Sequence, residues 1–102
     1  MFDFISIGEK MNLQSIPVQN QTIQFHRVDD EGLLILTDIG KIKGLNQTAA
    51  FIWETIDGTK TIAEIAKDVD AKFNSQLSSI QNDLIEFLTQ LKNRSLIYLK
   101  ER

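Results

Sequence analysis

Hydrophobic and polar positions divide the chain into an early part with strand patterns and a later part with helical spacing. Apolar and polar side chains alternate imperfectly over residues 23–28, which predicts a β-strand. The uninterrupted apolar run at 33–36 predicts a central strand that is covered on both faces. Residues 41–43 read Lys-Ile-Lys, which predicts a short edge strand whose lysines protect it from aggregation.

Short polar segments separate these strands. The segment 29–32 (Asp-Asp-Glu-Gly) predicts a hairpin turn, with glycine available for a positive φ. The segment 38–40 (Asp-Ile-Gly) predicts a second turn. The three adjacent acids of the first turn could also bind a cation weakly, but turn chemistry is the commoner reason for such a group.

From Asn46 onward the apolar period becomes helical. Asn46 is a good N-cap for a first helix, which closes near Gly58. Its apolar stripe includes Trp53, which favours a core tryptophan over a stacking site. A capping box at 61–64 (Thr-Ile-Ala-Glu) opens a second helix that runs to Phe73.

A third helix begins near residues 77–79 and runs to about Arg94, with a broad apolar face. The segment 96–99 predicts an extended tail packed against the helices. Strands that precede three helices predict an α+β fold: a three-stranded antiparallel sheet followed by a three-helix bundle with a winged-helix outline.

The length of 102 residues predicts one domain over 1–102. Its parts are an N-terminal arm at 1–22, the sheet at 23–45, and the helices with their tail at 46–102. Within the arm, Pro17 argues against a helix around it. The apolar segment 2–7 is predicted to pair with a sheet edge of the same or a second copy.

Composition restricts the possible chemistry. The net charge of −3 and the pI near 5.0 argue against a partner held through nucleic-acid phosphates. The chain has no cysteine and one histidine, His26, so the sequence predicts neither a metal site nor an enzyme, and no cofactor. No apolar segment is long enough for a membrane span, and no leader is predicted, so we expect a cytoplasmic protein.

Three functional classes remain on these grounds. An edge strand beside a helix with a wide apolar face can capture an extended peptide through main-chain bonds and side-chain pockets. A winged-helix DNA-binding protein shares the outline, but the third helix carries Asp83 and Glu86 along its middle, with Lys92 and Arg94 only at its end. An inert structural subunit that buries its whole apolar helix face is the third possibility.

Four motifs occur in one order and spacing: Gly-Leu-Asn at 44–46, Ile-Trp at 52–53 followed by Asp-Gly at 57–58, the capping box at 61–64, and Asp-Leu-Ile-Glu-Phe-Leu at 83–88. In this arrangement, over residues 23–99, the chain resembles the PqqD family of peptide-binding domains, also called RiPP recognition elements. The family fold is a three-stranded antiparallel sheet followed by three helices in a winged-helix arrangement.

The resemblance implies a non-catalytic adaptor that binds the leader of a ribosomally made precursor peptide. The leader would add as a strand beside the third strand, here about 39–44, and would contact the third helix. The implied partner enzyme is a radical SAM enzyme, a cyclase or a leader peptidase, and the implied state is a monomer or weak dimer. The implied peptide-binding residues are Ile39, Lys41, Ile42 and Lys43 on one wall and Ile80, Asp83, Leu84 and Phe87 on the other.

One position departs from the family pattern. The family usually has a glycine after the third helix, where this chain has Ser95. A left-handed conformation is costlier for serine than for glycine, so a different end of this helix is expected.

Overall fold

The computed structural model describes residues 11–74 and 76–100. Its elements in chain order are β1 (Ile16–Gln19), β2 (Ile23–Val28), β3 (Glu31–Leu36), β4 (Lys41–Leu45), α1 (Gln47–Thr55), α2 (Ile62–Phe73), α3 (Leu77–Asn93) and β5 (Ile97–Lys100). The prediction that residues 2–7 pair with a sheet edge falls outside the described residues.

Strands β2, β3 and β4 form an antiparallel sheet with β3 in the middle, and α1, α2 and α3 follow it. The predicted α+β fold is therefore confirmed. Leu34 points into the core between sheet and helices and is fully buried. The prediction that β3 is covered on both faces is wrong, because Leu33 and Ile35, which point to the other face, are only half-buried.

Gly32 allows α1 to pack closely against the sheet. A Cβ atom at this position would lie 2.4 Å from Cε1 of Phe25 and 3.4 Å from Cβ of Ala50. The missing side chain therefore leaves space for the Phe25 ring, and Ala50 of α1, which is fully buried, reaches the same place. This close packing helps to hold α1 against the sheet.

Both predicted helix caps are present. The side chain of Asn46 accepts a hydrogen bond from the backbone N–H of Ala49 at 2.9 Å. At the start of α2, the Thr61 hydroxyl accepts from the N–H of Glu64 at 3.2 Å, while the Glu64 carboxylate accepts from the N–H of Thr61 at 2.8 Å. These bonds satisfy backbone donors that have no partner within the helix.

The end of α3 corrects the expectation based on Ser95. Ser95 adopts the left-handed conformation with a φ of 62°. Its N–H donates to the Lys92 carbonyl at 3.0 Å, and the N–H of Leu96 donates to the Leu91 carbonyl at 2.9 Å. This pair of bonds defines a Schellman motif, and Leu91 and Leu96, both buried, supply its hydrophobic contact. The helix ends as it would with glycine, at the cost of a strained serine.

A second, two-stranded sheet joins the two ends of the described chain. Strand β1 pairs antiparallel with β5, with Pro17 opposite Leu99. The sequence had placed β1 within the unassigned arm and β5 in the extended tail. Preceding β1, the Leu13 and Ser15 carbonyls accept from the N–H groups of Ala63 and Ile62. The described part of the arm is thereby attached to the start of α2.

Candidate functional site

Two cavities share Thr48 and Ile52 of α1 in their lining. One lies between β4, α1 and α3, and the other lies between α1, α2 and α3. We call them together the groove. The first cavity, of about 300 Å³, lies beside β4 and is lined by Lys43, Gly44, Leu45, Asn46, Thr48, Ala49, Ile52 and Phe87. The second, of about 340 Å³, lies along the first half of α3 and is lined by Thr48, Ile52, Val69, Phe73, Gln76, Ser79, Ile80, Asp83 and Leu84.

The alternation of side chains along β4 decides which of them face the groove. Lys43 is paired with Leu34, so it points to the helix side of the sheet and is half-buried. The half-buried Phe87 of α3 packs against the hydrophobic core and lines the same cavity. A long cationic side chain and an aromatic ring from distant parts of the sequence thus meet at the first cavity.

The second cavity has an apolar floor and a charged rim. Leu84 and Ile80 are buried, with 1% and 8% of their surface exposed. Asp83 is exposed and lines the same cavity one helical turn after Ile80. The groove therefore combines apolar surface with the positive charge of Lys43 in the first cavity and the negative charge of Asp83 in the second.

The side chains of the remaining predicted site residues line neither cavity. Ile42 is paired with Ile35, points away from the helices and is 66% exposed. Ile39 lies before β4, in a turn where its N–H donates to the Leu36 carbonyl, and it is 62% exposed. The strand bounds of 39–44 are therefore wrong, because the turn extends through Gly40, which has a φ of 66°. Lys41 shares the face of Lys43 but is exposed and lines neither cavity.

The far edge of β4 has no partner strand in the part of the chain that the structure describes. In the three-stranded sheet β4 is bonded to β3 alone among the described strands. Alternate residues of an antiparallel edge strand direct their N–H and C=O groups away from the neighbouring strand. An extended chain placed along β4 can accept and donate main-chain hydrogen bonds there while its alternate side chains enter the groove.

Sequence reasoning missed the contribution of α1 to this site. Asn46, Thr48 and Ala49 line the first cavity because the N-cap follows β4 directly and turns the helix across its end. The sequence does contain a signal for this contribution, because the N-cap Asn46 directly follows the predicted edge strand. Val69 and Phe73 of α2, which line the second cavity, had no signal beyond their place on an apolar stripe.

A charged cluster lies on the other side of α1. Arg27 forms a bidentate ion pair with Glu54, one bond of which joins Nε to Oε2 at 3.2 Å. The hydrogen bonds that Arg27 donates to the Glu54 carboxylate raise the pKa of Arg27. A cavity of about 300 Å³ lined by Arg27, Glu54, Lys72 and the Phe51 and Phe73 rings adjoins this pair. Because both ionic side chains already pair with each other, this cluster fits a structural role in holding α1 on β2.

Two further properties follow for the described part of the chain. It contains no group of three or more His, Asp or Glu side chains arranged to hold a metal ion. None of its helices is long and apolar enough to cross a membrane.

The sequence of the chain matches a family described as coenzyme PQQ synthesis protein D (PqqD) over residues 26–97. A PqqA binding protein from Acinetobacter baylyi is 30% identical over 89 residues, which cover 86% of this chain and 88% of the relative. A PqqA binding protein from Xanthomonas oryzae pv. oryzae is 27% identical over 77 residues, covering 76% of this chain and 82% of the relative.

Two solved structures are similar in fold. TbiB1 in complex with the TbiA(β) leader peptide has a TM-score of 0.72 and 25% identity, covering 78% of this chain and 93% of that one. The PqqD part of Methylobacterium extorquens PqqCD, a functional and stand-alone RiPP recognition element, has a TM-score of 0.73 over 87% of this chain and 95% of that one. At 14% identity the second supports the fold alone. With the family matched over most of its length, the chain belongs to the PqqD family.

Proposed function

We propose that this protein is a peptide-binding adaptor that captures the leader of a ribosomally made precursor peptide and presents it to a maturation enzyme. The observation that carries the proposal is the edge of β4, which has no partner among the described strands and lies beside the groove. The family membership, the relatives named PqqA binding protein and the leader-bound TbiB1 support the same role.

The binding mode is strand addition. Main-chain hydrogen bonds to β4 supply affinity that does not depend on leader sequence, and every second leader side chain enters the groove. We assign side-chain contacts to Lys43 and Phe87 in the first cavity and to Ile80, Asp83 and Leu84 in the second. Lys41 and Ile42 contribute mainly main-chain hydrogen bonds, and Ile39 lies in the turn that precedes the strand.

The charges along the groove favour one orientation of the leader and particular charged side chains at its two ends. Lys43 and the first turn of α1, which carries no acidic residue, make the first cavity favourable for a leader carboxylate. Asp83 makes the rim of the second cavity favourable for a basic or donor side chain. An apolar leader residue between these ends would fill the space over Leu84 and Ile52.

DNA binding is disfavoured by the surface of α3. In a winged-helix DNA reader the recognition helix carries basic residues that contact phosphates and bases. Here the exposed residues Asp83 and Glu86 on the middle of α3 are acidic, and the basic residue Arg94 lies at the C-terminal cap of the helix. A basic residue at the C-terminus of a helix interacts favourably with the helix dipole, and this explains the position of Arg94 without a nucleic-acid partner.

The partner enzyme belongs, by family resemblance, to the radical SAM enzymes, the cyclases or the leader peptidases. Because a ribosomally made precursor first meets its binding protein where it is synthesised, we place the adaptor in the cytoplasm. The adaptor itself would then need no cofactor, since its task is to hold one peptide in an extended conformation beside an enzyme.

The test is a calorimetric titration with synthetic peptides that match the N-terminal parts of short open reading frames found next to this protein's gene. We expect saturable binding that changes at least about fivefold in Asp83→Lys, equivalent to about 1 kcal/mol. Glu86→Lys makes the same charge change one turn later on α3, outside the groove, and should stay within about twofold. Absence of saturable binding by wild type would refute the peptide-binding role, whereas equal effects of the two variants would refute only the placement of the groove.

A further inference from the structure

Half of the residues on the face of the three-stranded sheet opposite the helices are large and apolar. Because directly paired residues share a face, the register assigns a common outer face. Its members are Gln24, His26, Val28, Glu31, Leu33, Ile35, Ile42 and Gly44. We call this surface the outer face. An exposed antiparallel sheet face is normally polar, so its apolar members require an explanation.

The exposed large hydrophobic residues concentrate at this surface. Among the described residues they are Val28, Ile39, Ile42 and Tyr98. Val28 (50% exposed) and Ile42 (66%) lie on the outer face, and Ile39 (62%) lies in the turn at its end. Leu33 and Ile35 lie between them and are half-buried. A contiguous exposed apolar patch of this kind marks an interaction site more often than scattered single residues do.

The charges around the patch indicate what it contacts. Glu31 lies on the outer face, Asp29 and Asp30 lie in the turn at one end, and Asp38 lies in the turn at the other. The lysines of β4 and Arg27 of β2 belong to the opposite face. A complementary partner therefore has an apolar patch with Lys or Arg side chains around it.

Self-association fits this surface poorly. A second copy would bring the same four acids to the interface, where like charges repel. The outer face also consists of only three short strands of five or six residues. The area that two such faces could bury against each other is well below the roughly 800 Å² per partner of a standard specific interface. A larger partner can use the patch as one part of a wider contact.

The outer face is continuous with the proposed leader site. A leader added beside β4 becomes a fourth strand of the same sheet, and its alternate side chains join the outer face next to Ile42. A protein seated on the outer face would thus touch both the adaptor and the leader. The surface that such a partner contacts, made of the outer face and the leader together, is complete only when the leader is bound.

We propose that the outer face is the docking surface for the maturation enzyme, which meets it through an apolar patch surrounded by basic residues. This inference rests on the proposed function and assigns its second partner to a surface distinct from the groove. Because the leader extends the surface that the enzyme contacts, leader and enzyme bind cooperatively, and each raises the affinity for the other by the same factor.

The first experiment identifies the occupant in the native host. The full chain carries the photo-crosslinking amino acid p-benzoylphenylalanine at position 42, or at position 98 as a control of similar exposure on β5. We expect position 42 alone to crosslink an enzyme that modifies the precursor when purified. A crosslink to a second copy, an internal crosslink to residues 2–7, or no crosslink beyond that of position 98 would overturn the proposal.

The second experiment measures the purified enzyme so identified, with and without synthetic leader. We expect the leader to tighten enzyme binding at least about fivefold. The double variant Val28→Lys/Glu31→Lys, at the hairpin end of β2 and β3, should weaken enzyme binding at least about tenfold and leave leader affinity within about twofold. Tyr98→Lys, the matched control, should change neither.

The outcomes separate this inference from the proposed function. Wild-type leader binding together with unchanged enzyme binding by the double variant would overturn the docking surface and leave the adaptor role intact. Absence of leader binding by the wild-type protein would overturn the adaptor role itself. A melting curve of the double variant close to wild type, expected because both positions are exposed, excludes unfolding as the cause of weakened binding.

Discussion

Replacing Phe87 by alanine tests how α3 divides its apolar face between the core and the groove. Phe87 is half-buried, packs against the core cluster and also lines the first cavity. The change should therefore reduce both the free energy of unfolding and the affinity for the leader.

The two losses can be estimated separately. A fully buried phenylalanine costs about 3–5 kcal/mol on truncation to alanine. Because Phe87 is only partly covered, we expect a loss of about 2 kcal/mol, or a fall in melting temperature of about 8–16 °C for a chain of this size. As an aromatic contact in a leader pocket it should also contribute about 1–3 kcal/mol to binding, so the leader Kd should rise about 5- to 150-fold.

Ile85→Ala is the matched control. Ile85 is half-buried on the same helix and packs against the core, but it lines neither cavity of the groove. Both variants should melt earlier, measured by circular dichroism, and only Phe87→Ala should lose leader affinity, measured at a temperature where both variants are folded. If both variants bind the leader as wild type does, the assignment of Phe87 to the leader site is refuted.

Three other predictions concern caps and partners. Thr61→Ala removes the hydroxyl of the capping box and should destabilise the fold by about 1 kcal/mol in urea unfolding, and an unchanged midpoint would contradict the cap's role. Ser95→Gly should stabilise by about 0.5–1 kcal/mol because glycine adopts the left-handed φ without strain, and a loss of stability would show that the side chain matters more. A gel-shift assay should detect no DNA binding at about 150 mM salt, and a sequence-specific shift at that salt would contradict the peptide-binding account.

Most of the fold could be predicted because local signals agreed with the final packing. The cap at Asn46, the capping box at Thr61 and the period of the apolar residues set the starts of α1 and α2. The alternation over 23–28 matches β2. In these places local hydrogen bonds and hydrophobic period point to the same structure, so the sequence was sufficient.

The features that sequence reasoning missed depend on long-range pairing. Strand β1 contains a proline and only four residues, and it is fixed by β5 about eighty positions later. The half-exposed face of β3 could not be told from a fully covered one, since a short apolar run fits both. The direction of the Ile42 side chain, away from the helices, could not be predicted, because the face to which a strand residue points depends on register, which the sequence leaves open.

Amide hydrogen exchange of the adaptor with and without synthetic leader tests strand addition most directly. The account predicts that the leader slows exchange of alternate amides within Lys41–Leu45, where β4 has no described partner on its far edge, and leaves the amides of β2 unchanged. Slowed exchange along β2 or β1 with no change in β4 would contradict the proposed site.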